Sequence, residues 1–400
     1  MTTTIDNEHK TFNVPNLRFP EFEGEWQEKR LSDIADLSKG IGISKDQLSA
    51  DGEPCILYGE LYTKYKSETI KEVISKTNID NTKLVKSKAN DVIIPCSGET
   101  AEEIATARCV LKDDILLGGD LNIIRLHGYD GSFMSYQLNG KRKYDIAKVA
   151  QGVSVVHLYG EHLKNIKTIN PSLNEQKKIA NLLSLLDERI STQNKIIDKL
   201  QSLIKGISNR LLYADNSMSI RIEEMLIERS ERTKKNNQYE VLSSTVNGIF
   251  SQRDYFSKDI ASDNNVGYKI IHLHDIVLSP QNLWMGNINF NDKFDIGIVS
   301  PSYKVFSIAD GFDKKYVAAL LKTHHALYNY MLVSEQGASI VRRNLNYEAF
   351  EQLVFKIPSL NKQREIGHAI SLLKSRLENA NLLIKTYNSQ KQFMIRQMFI

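Results

Sequence analysis

Cysteine is scarce. Cys55, Cys96 and Cys109 are the only three in 400 residues, and none belongs to a CxxC pair. That excludes a disulfide framework and a thiolate metal site, and leaves buried free thiols as the expectation. Long apolar runs are missing as well, since none approaches the ~18 residues of a membrane-spanning helix. Asp6 and Glu8 stand where a secretory leader would carry basic residues, so a cytoplasmic location is expected. No GxxxxGK[ST] loop and no GxGxxG opening a helix after a strand is present, which removes the common nucleotide-binding loops. No triad, nucleophile elbow or carboxylate pair stands out. His272 and His274 fall on one strand face, but no cysteine or acidic residue follows at ligand spacing, so no metal site is expected. His324-His325 lies in a helical stretch, where neighbouring side chains face different ways. No catalytic residue is assigned.

Charge of one sign is not in excess overall, at +4, but it is unevenly placed. Residues 1–170 sum to −3, residues 171–213 to +3, residues 214–357 to −1 and residues 358–400 to +5. A general nucleic-acid coat would be basic throughout. Any DNA contact by the two long neutral-to-acidic stretches must therefore use local patches.

The most informative feature is a repeat. Pro171-Ser172-Leu173-Asn174-Glu175-Gln176 returns as Pro358-Ser359-Leu360-Asn361-Lys362-Gln363, 187 residues later. Ser184-Leu185-Leu186 matches Ser371-Leu372-Leu373, and Gln151-Gly152-Val153-Ser154 matches Gln336-Gly337-Ala338-Ser339. A period near half the chain implies two copies of one unit rather than a solenoid. After each Pro-Ser-Leu-Asn segment an apolar stripe recurs at alternating spacings of four and three. The first holds Ile179, Leu183, Leu186, Ile190, Ile197, Leu200, Ile204, Ile207 and Leu211, interrupted only by Gln193. The second holds Ile366, Ile370, Leu373, Leu377, Ala380, Ile384, Tyr387, Met394 and Met398, and is broken only at Lys391. A 3.5-residue period sustained this long is a coiled-coil seam. Each stripe is roughly 50 Å long at ~1.5 Å per residue, and an antiparallel pair needs no long return connection.

The expected organisation is a tail over 1–25, a block over 26–170, a helix over 171–213, a block over 214–357 and a helix over 358–400. The fold class is α+β: two mixed α/β blocks joined by two long antiparallel helices in a pseudo-two-fold dumbbell. In block one, Leu31 to Asp36 reads as a short helix and Met134 to Ala150 as a longer one. Cys55–Tyr58, Asp91–Ile94 and Leu121–Leu126 read as strands. In block two, Glu240–Leu242, Asp275–Leu278 and Tyr303–Phe306 read as strands, and Tyr316 to Leu332 as a helix. Asp91–Ile94 and Asp275–Leu278 look like one strand written twice.

Polar and basic loops remain as candidate sites. Lys64 and Lys66 alternate with tyrosines, and Lys234 and Lys235 fall in a polar run from Arg229 to Gln238. Arg108, Arg253, Arg342 and Arg343 add further cations. These eight residues are candidates for phosphate contacts. Ser97 and Gly98 follow one matched strand, and Gln281 and Asn282 the other. Asn and Gln suit adenine edges, and loops at strand ends on a rigid scaffold often carry recognition.

This arrangement resembles the specificity (S) subunit of type I restriction–modification enzymes. The resemblance rests on the tail Asn13-Val14-Pro15-Asn16-Leu17-Arg18-Phe19-Pro20-Glu21-Phe22 with Trp26, the two Gln-Gly-x-Ser segments, and the Pro-x-Leu-x-x-Gln pattern before each helix. Two departures stand out: block two has no counterpart of Trp26, and His157-Leu158 occupies the place of Arg342-Arg343. Asn170-Pro171-Ser172-Leu173 lacks the second proline and the aromatic of an adenine methyltransferase box. The resemblance implies a non-catalytic chain whose blocks each read half of a split DNA site. Its helices would set the spacing and dock two methyltransferase (M) subunits, which methylate adenine N6. Two motor–nuclease (R) subunits complete such an assembly. S-adenosylmethionine, ATP and Mg are expected on those partners, and none on this chain. The competing expectation is a coiled-coil scaffold that binds proteins only.

Overall fold

The computed structural model describes residues 13–152, 155–210, 218–255, 264–336 and 343–400. Its Cα positions divide into two compact units, residues 1–194 with 382–400 and residues 195–381. The division runs through both long helices, so each unit owns part of each.

In unit 1, β1 (Gln27–Arg30) leads through a helical turn, Leu31–Ile34, into β2 (Ala35–Lys39). β3 (Asp91–Pro95), β4 (Arg108–Val110), β5 (Leu121–Leu126), α1 (Gly131–Asn139), β6 (Lys167–Asn170) and α2 (Leu173–Arg210) follow. The main sheet runs β2-β5-β3-β4 and ends on Thr69–Ile70. β3 is buried along its whole length, which is why Val92-Ile93-Ile94 shows no polar alternation. Leu31, Ile34, Val92, Ile94, Ile124 and Met134 form one core beneath it. A smaller five-stranded sheet contains Glu53–Ile56. The single helix expected from Met134 to Ala150 is two, α1 and Lys143–Val149. The break is Gly140, where an added Cβ would lie 2.7 Å from Ile395 and 3.0 Å from the Tyr136 carbonyl.

In unit 2, β7 (Met218–Arg221), β8 (Leu226–Arg229), β9 (Ile276–Leu278), β10 (Ile288–Phe290) and β11 (Lys304–Ile308) precede α3 (Lys314–Leu320), α4 (His324–Leu332), β12 (Val354–Ile357) and α5 (Leu360–Met398). The sheet order β8-β11-β9-β10 repeats that of β2-β5-β3-β4. β1 pairs with β6 and β7 with β12, both antiparallel, closing each block beside its helix start. The helical turn after β1 also recurs, as Ile222–Met225. In both copies a carboxylate three residues on accepts from the cap N–H: Asp33 from Arg30 and Glu224 from Arg221. The helix expected over Tyr316–Leu332 is again two, because Thr323 caps α4 by accepting from the Ala326 N–H.

The repeated glutamine has a defined job. Gln176 donates to the Pro171 carbonyl at 2.8 Å and accepts from the Asp130 N–H at 2.9 Å. Gln363 does the same with the Pro358 carbonyl, at 2.9 Å, and the Asp313 N–H, at 3.0 Å. Asp130 and Asp313 are the N-caps of α1 and α3. Each long helix is thereby tied at its first turn to a helix of its own block.

The helices span 38 and 39 residues. In unit 1 the start of α2 meets the end of α5: Ile179, Leu183 and Leu186 share a core with Ile395, Met398 and Phe399. Trp26 and Phe133 join that core, with Trp26 edge-on to Phe399 at 6.5 Å. In unit 2 the end of α2 and the start of α5 converge, with Ile207, Ile366 and Ile370 on one cluster. Both ends are thus antiparallel. Along the stripes Ile179, Leu183, Leu186, Ile197 and Ile370 are buried, while Ile190, Leu200, Ile204, Ile366, Leu373, Leu377 and Ile384 are partly buried. The tail adds a unit 1 feature: Arg18 grips Glu175 with two hydrogen bonds of 2.8 Å, and Glu175 is 1% exposed. Lys362 stands at the matching position in unit 2.

Candidate nucleic-acid interface

In unit 1 the loop after β3 folds back as a short strand. Ser97–Gly98 pairs antiparallel with Val156–His157. The Ser97 Oγ lies 3.4 Å from His157 Nδ1, and Tyr62 donates its hydroxyl to the Ser97 carbonyl at 3.3 Å. Lys66 Nζ reaches the Tyr62 carbonyl at 3.0 Å. The Tyr62–Lys66 segment therefore borders the Ser97–Gly98 loop. Lys64 turns the other way, onto Glu60 and Ser75, both at 2.6 Å.

Arg108 must be withdrawn from the phosphate set. It is 9% exposed, and its guanidinium donates to the carbonyls of Ala107, Leu61 and Tyr65. Burial lowers its pKa. A guanidinium buried in a core and bonded to three main-chain carbonyls is held out of reach of a phosphate.

In unit 2 the loop after β9 makes a comparable meeting. The Arg343 N–H donates to the Gln281 carbonyl at 3.1 Å, and the Arg343 guanidinium sits 4.6 Å over the Trp284 ring. Asn282 lies in the same turn, its N–H bonded to the Ser279 carbonyl and its side-chain oxygen buried without a hydrogen-bond partner. Gln281, Asn282 and Arg343 are thus one cluster. Lys234, Lys235 and Arg253 are exposed on other segments. Arg342 lies outside the described residues, as do Leu211 of the first stripe and Val153-Ser154 and Gly337-Ala338-Ser339 of the repeated segments.

Sequence reasoning passed over several residues that the fold collects here. Lys39 lies 5.5 Å over the Tyr159 ring, which stacks on His157 and is itself 44% exposed. Trp284 serves unit 2 as a platform. The one available signal was positional: His157-Leu158 stands where the second copy has Arg342-Arg343, and His157 and Arg343 each meet the loop after the matched strand. His272 pairs with Glu231 at 2.9 Å. His274 leaves the strand, turning at φ 75°. Among the described residues no group of three or more His, Cys, Asp or Glu is placed to hold a metal ion. No described helix is long and apolar enough to cross a membrane.

Comparison with known proteins agrees with this layout. Residues 23–202 match the family model described as the type I restriction modification DNA specificity domain. A specificity subunit of the type I restriction enzyme MjaVIII, from Methanocaldococcus jannaschii, is 29% identical over 196 residues. That match spans 49% of this chain and 43% of the relative, so the chain matches less than half of that relative's length. The fold is similar to the crystal structure of the S subunit of a type I restriction–modification system from M. genitalium. It shares 15% identity, a TM-score of 0.64, 97% of this chain and 99% of that one. Residues 23–202 thus match the specificity-domain family model, and the chain as a whole has a fold similar to that of the M. genitalium S subunit.

Proposed function

We propose that each block reads one half of a split, asymmetric site on double-stranded DNA, and that the chain itself performs no chemistry. The observation that carries this reading is the doubled sheet, which holds two unlike polar loops at the end of the same central strand. Ser97-Gly98 with Tyr62, Lys66 and His157 would face one half-site. Gln281-Asn282 with Trp284 and Arg343 would face the other. Base edges would be read by these loops, while Lys66, Lys234, Lys235 and Arg253 hold phosphates.

A helix of 38 residues is about 57 Å long, the length of about 17 base pairs at ~3.4 Å each. The paired helices would act as the spacer between half-sites. They would also dock two methyltransferase subunits acting on adenine N6, which two motor–nuclease subunits join. S-adenosylmethionine, ATP and Mg would sit on those partners. Support for docking comes from exposed leucines off the seam. Leu185 and Ile196 are 49% and 42% exposed, and their repeats Leu372 and Leu383 are 49% and 44% exposed. A protein-only scaffold would use the same leucines but show no salt-sensitive, sequence-selective DNA binding.

Exchanging residues 214–357 for the block of a relative tests the two-head reading. The methylated motif in genomic DNA should change in one half-site only, and a change in both would reject it. Within that block Asn282→Ala should relax one or two positions, each worth ~1–3 kcal/mol of discrimination. Lys234→Ala should weaken all sequences alike. Full methylation of an unchanged motif in Asn282→Ala would remove that residue from the reading set.

A further inference from the structure

Two helices that repeat one apolar seam pattern in one chain pose a selection problem. Any apolar seam that pairs α2 with α5 also pairs either helix with its own copy. The charges at the two helix junctions differ in a way that bears on this choice.

At the unit 1 junction three charged side chains are buried together. Lys391 Nζ lies 2.5 Å from Glu68 and 2.6 Å from Asp187, and all three residues are 8% exposed. Tyr136 and Ser67 donate hydroxyls to Asp187 at 2.7 and 2.9 Å. Burial raises the pKa of Glu68 while the Lys391 charge opposes the rise. The 187-residue offset carries Asp187 onto Lys374 and Lys391 onto Ile204. At these two helix positions unit 1 therefore carries an aspartate and a lysine where unit 2 carries a lysine and an isoleucine. Lys322 lies near enough to Lys374 for the two charges to repel, and Asp292 and Glu378 act on Lys374 from the other side.

We infer that these unequal junction charges select pairing of α2 with α5, in one register, over pairing of either helix with its own kind. An α2–α2 pair would set Glu68 and Asp187 against Ile204 at both ends, leaving the two buried carboxylates with no cation but Arg108, whose guanidinium is bonded to main-chain carbonyls. An α5–α5 pair would bring Lys391 to Lys374 and Lys322 at both ends. Only the mixed pair gives Glu68 and Asp187 their lysine and Lys374 an isoleucine. A slip of one heptad fails equally, because Ile384 or Met398 would then reach Asp187. Buried polar groups at single seam positions commonly fix partner and register in coiled coils, and removing one member of a buried ionic set is costly. This inference does not depend on what the blocks bind.

The test moves the lysine. In the full chain carrying I204K and K391I, α2 holds both the acid and the base, so the α2–α2 pair becomes the matched one. Ile196 lies near the dyad of such a pair, so I196C reports it through a short bismaleimide. The parent with I196C should remain monomeric by light scattering and give no interchain product. The exchanged chain should dimerise and cross-link. An exchanged chain that folds and stays monomeric overturns the selection.

If the exchange does not fold, the neutral variant E68Q/D187N/K391M decides. Linkage within one chain supplies an effective concentration of ~mM, so parent and variant are refolded from denaturant at comparably high concentration. Interchain I196C product should rise about tenfold in the neutral variant, a small part of what a buried ionic set can discriminate. Product equal to the parent's would show that the cluster only packs.

Discussion

The two units share a sheet order, a closing strand pair and a glutamine tie, yet matching positions of their helices carry different charges. Unit 1 buries Glu68 and Asp187 around an imported lysine, and Arg18 of the tail clamps Glu175. Unit 2 has lysines at both matching helix positions, Lys374 for Asp187 and Lys362 for Glu175. The contrast separates two kinds of information in a duplicated chain. What the copies keep is geometry, carried by apolar residues and main-chain hydrogen bonds. What they change is polarity, carried by a few side chains that tell the copies apart.

The sharpest way to break the comparison is Lys391→Met beside Ile204→Met. The first strips a buried acidic pair of the lysine bonded to both members and should cost about 3–5 kcal/mol in urea unfolding. The second is an apolar swap of similar size and should cost less than about 1.5 kcal/mol. Equal losses would mean that the junctions are energetically alike. The shared feature is probed by Gln176→Ala and Gln363→Ala. Each leaves a capping N–H and a proline carbonyl without a partner, so each should cost about 1–3 kcal/mol, and by similar amounts. A loss confined to one of them would show that the tie is not common to both copies.

A different kind of effect is a pH slope belonging to unit 2. Lys322 is pushed down to about 8, first by burial and then by Lys374, against 10.5 ordinarily. It donates to Asn289 at 2.6 Å and to the Val246 carbonyl at 3.2 Å. Between pH 8 and 10.5 the unfolded chain holds this proton more tightly than the folded one, so stability should rise with pH. Lys322→Met should flatten that rise. The matching unit 1 position is Asn139, tied to Ala107 and without a titrating group, and Asn139→Ser should leave the slope intact. A slope unchanged in Lys322→Met would place its source elsewhere.

Much of this frame was legible in the sequence because periodicity is a local signal. Leu121–Leu126 is the strand read from its residues, and the stripe from Ile179 to Ile204 follows the less exposed side of α2. The two helices read as continuous were broken by Gly140 and by the cap at Thr323, whose reasons lie in contacts with other segments. Charge was misread for the same reason. Arg108 looked like a surface cation, and nothing in its neighbours announces three buried carbonyls. Lys391 looked like a flaw in the stripe because its partner Glu68 is 323 residues away. Local patterns report which face is apolar, whereas the worth of a polar group depends on what distant chain brings to it.

The glutamine tie has one more consequence. Gln176 and Gln363 reach only main-chain groups, a proline carbonyl behind them and a capping N–H on the block. No block side chain contributes an atom to that joint. Mutation can therefore rewrite a block's surface, or recombination can trade the block whole, without disturbing the hinge on which it hangs. A lineage under pressure to change its target can drift quickly in the loops while the joint stays still.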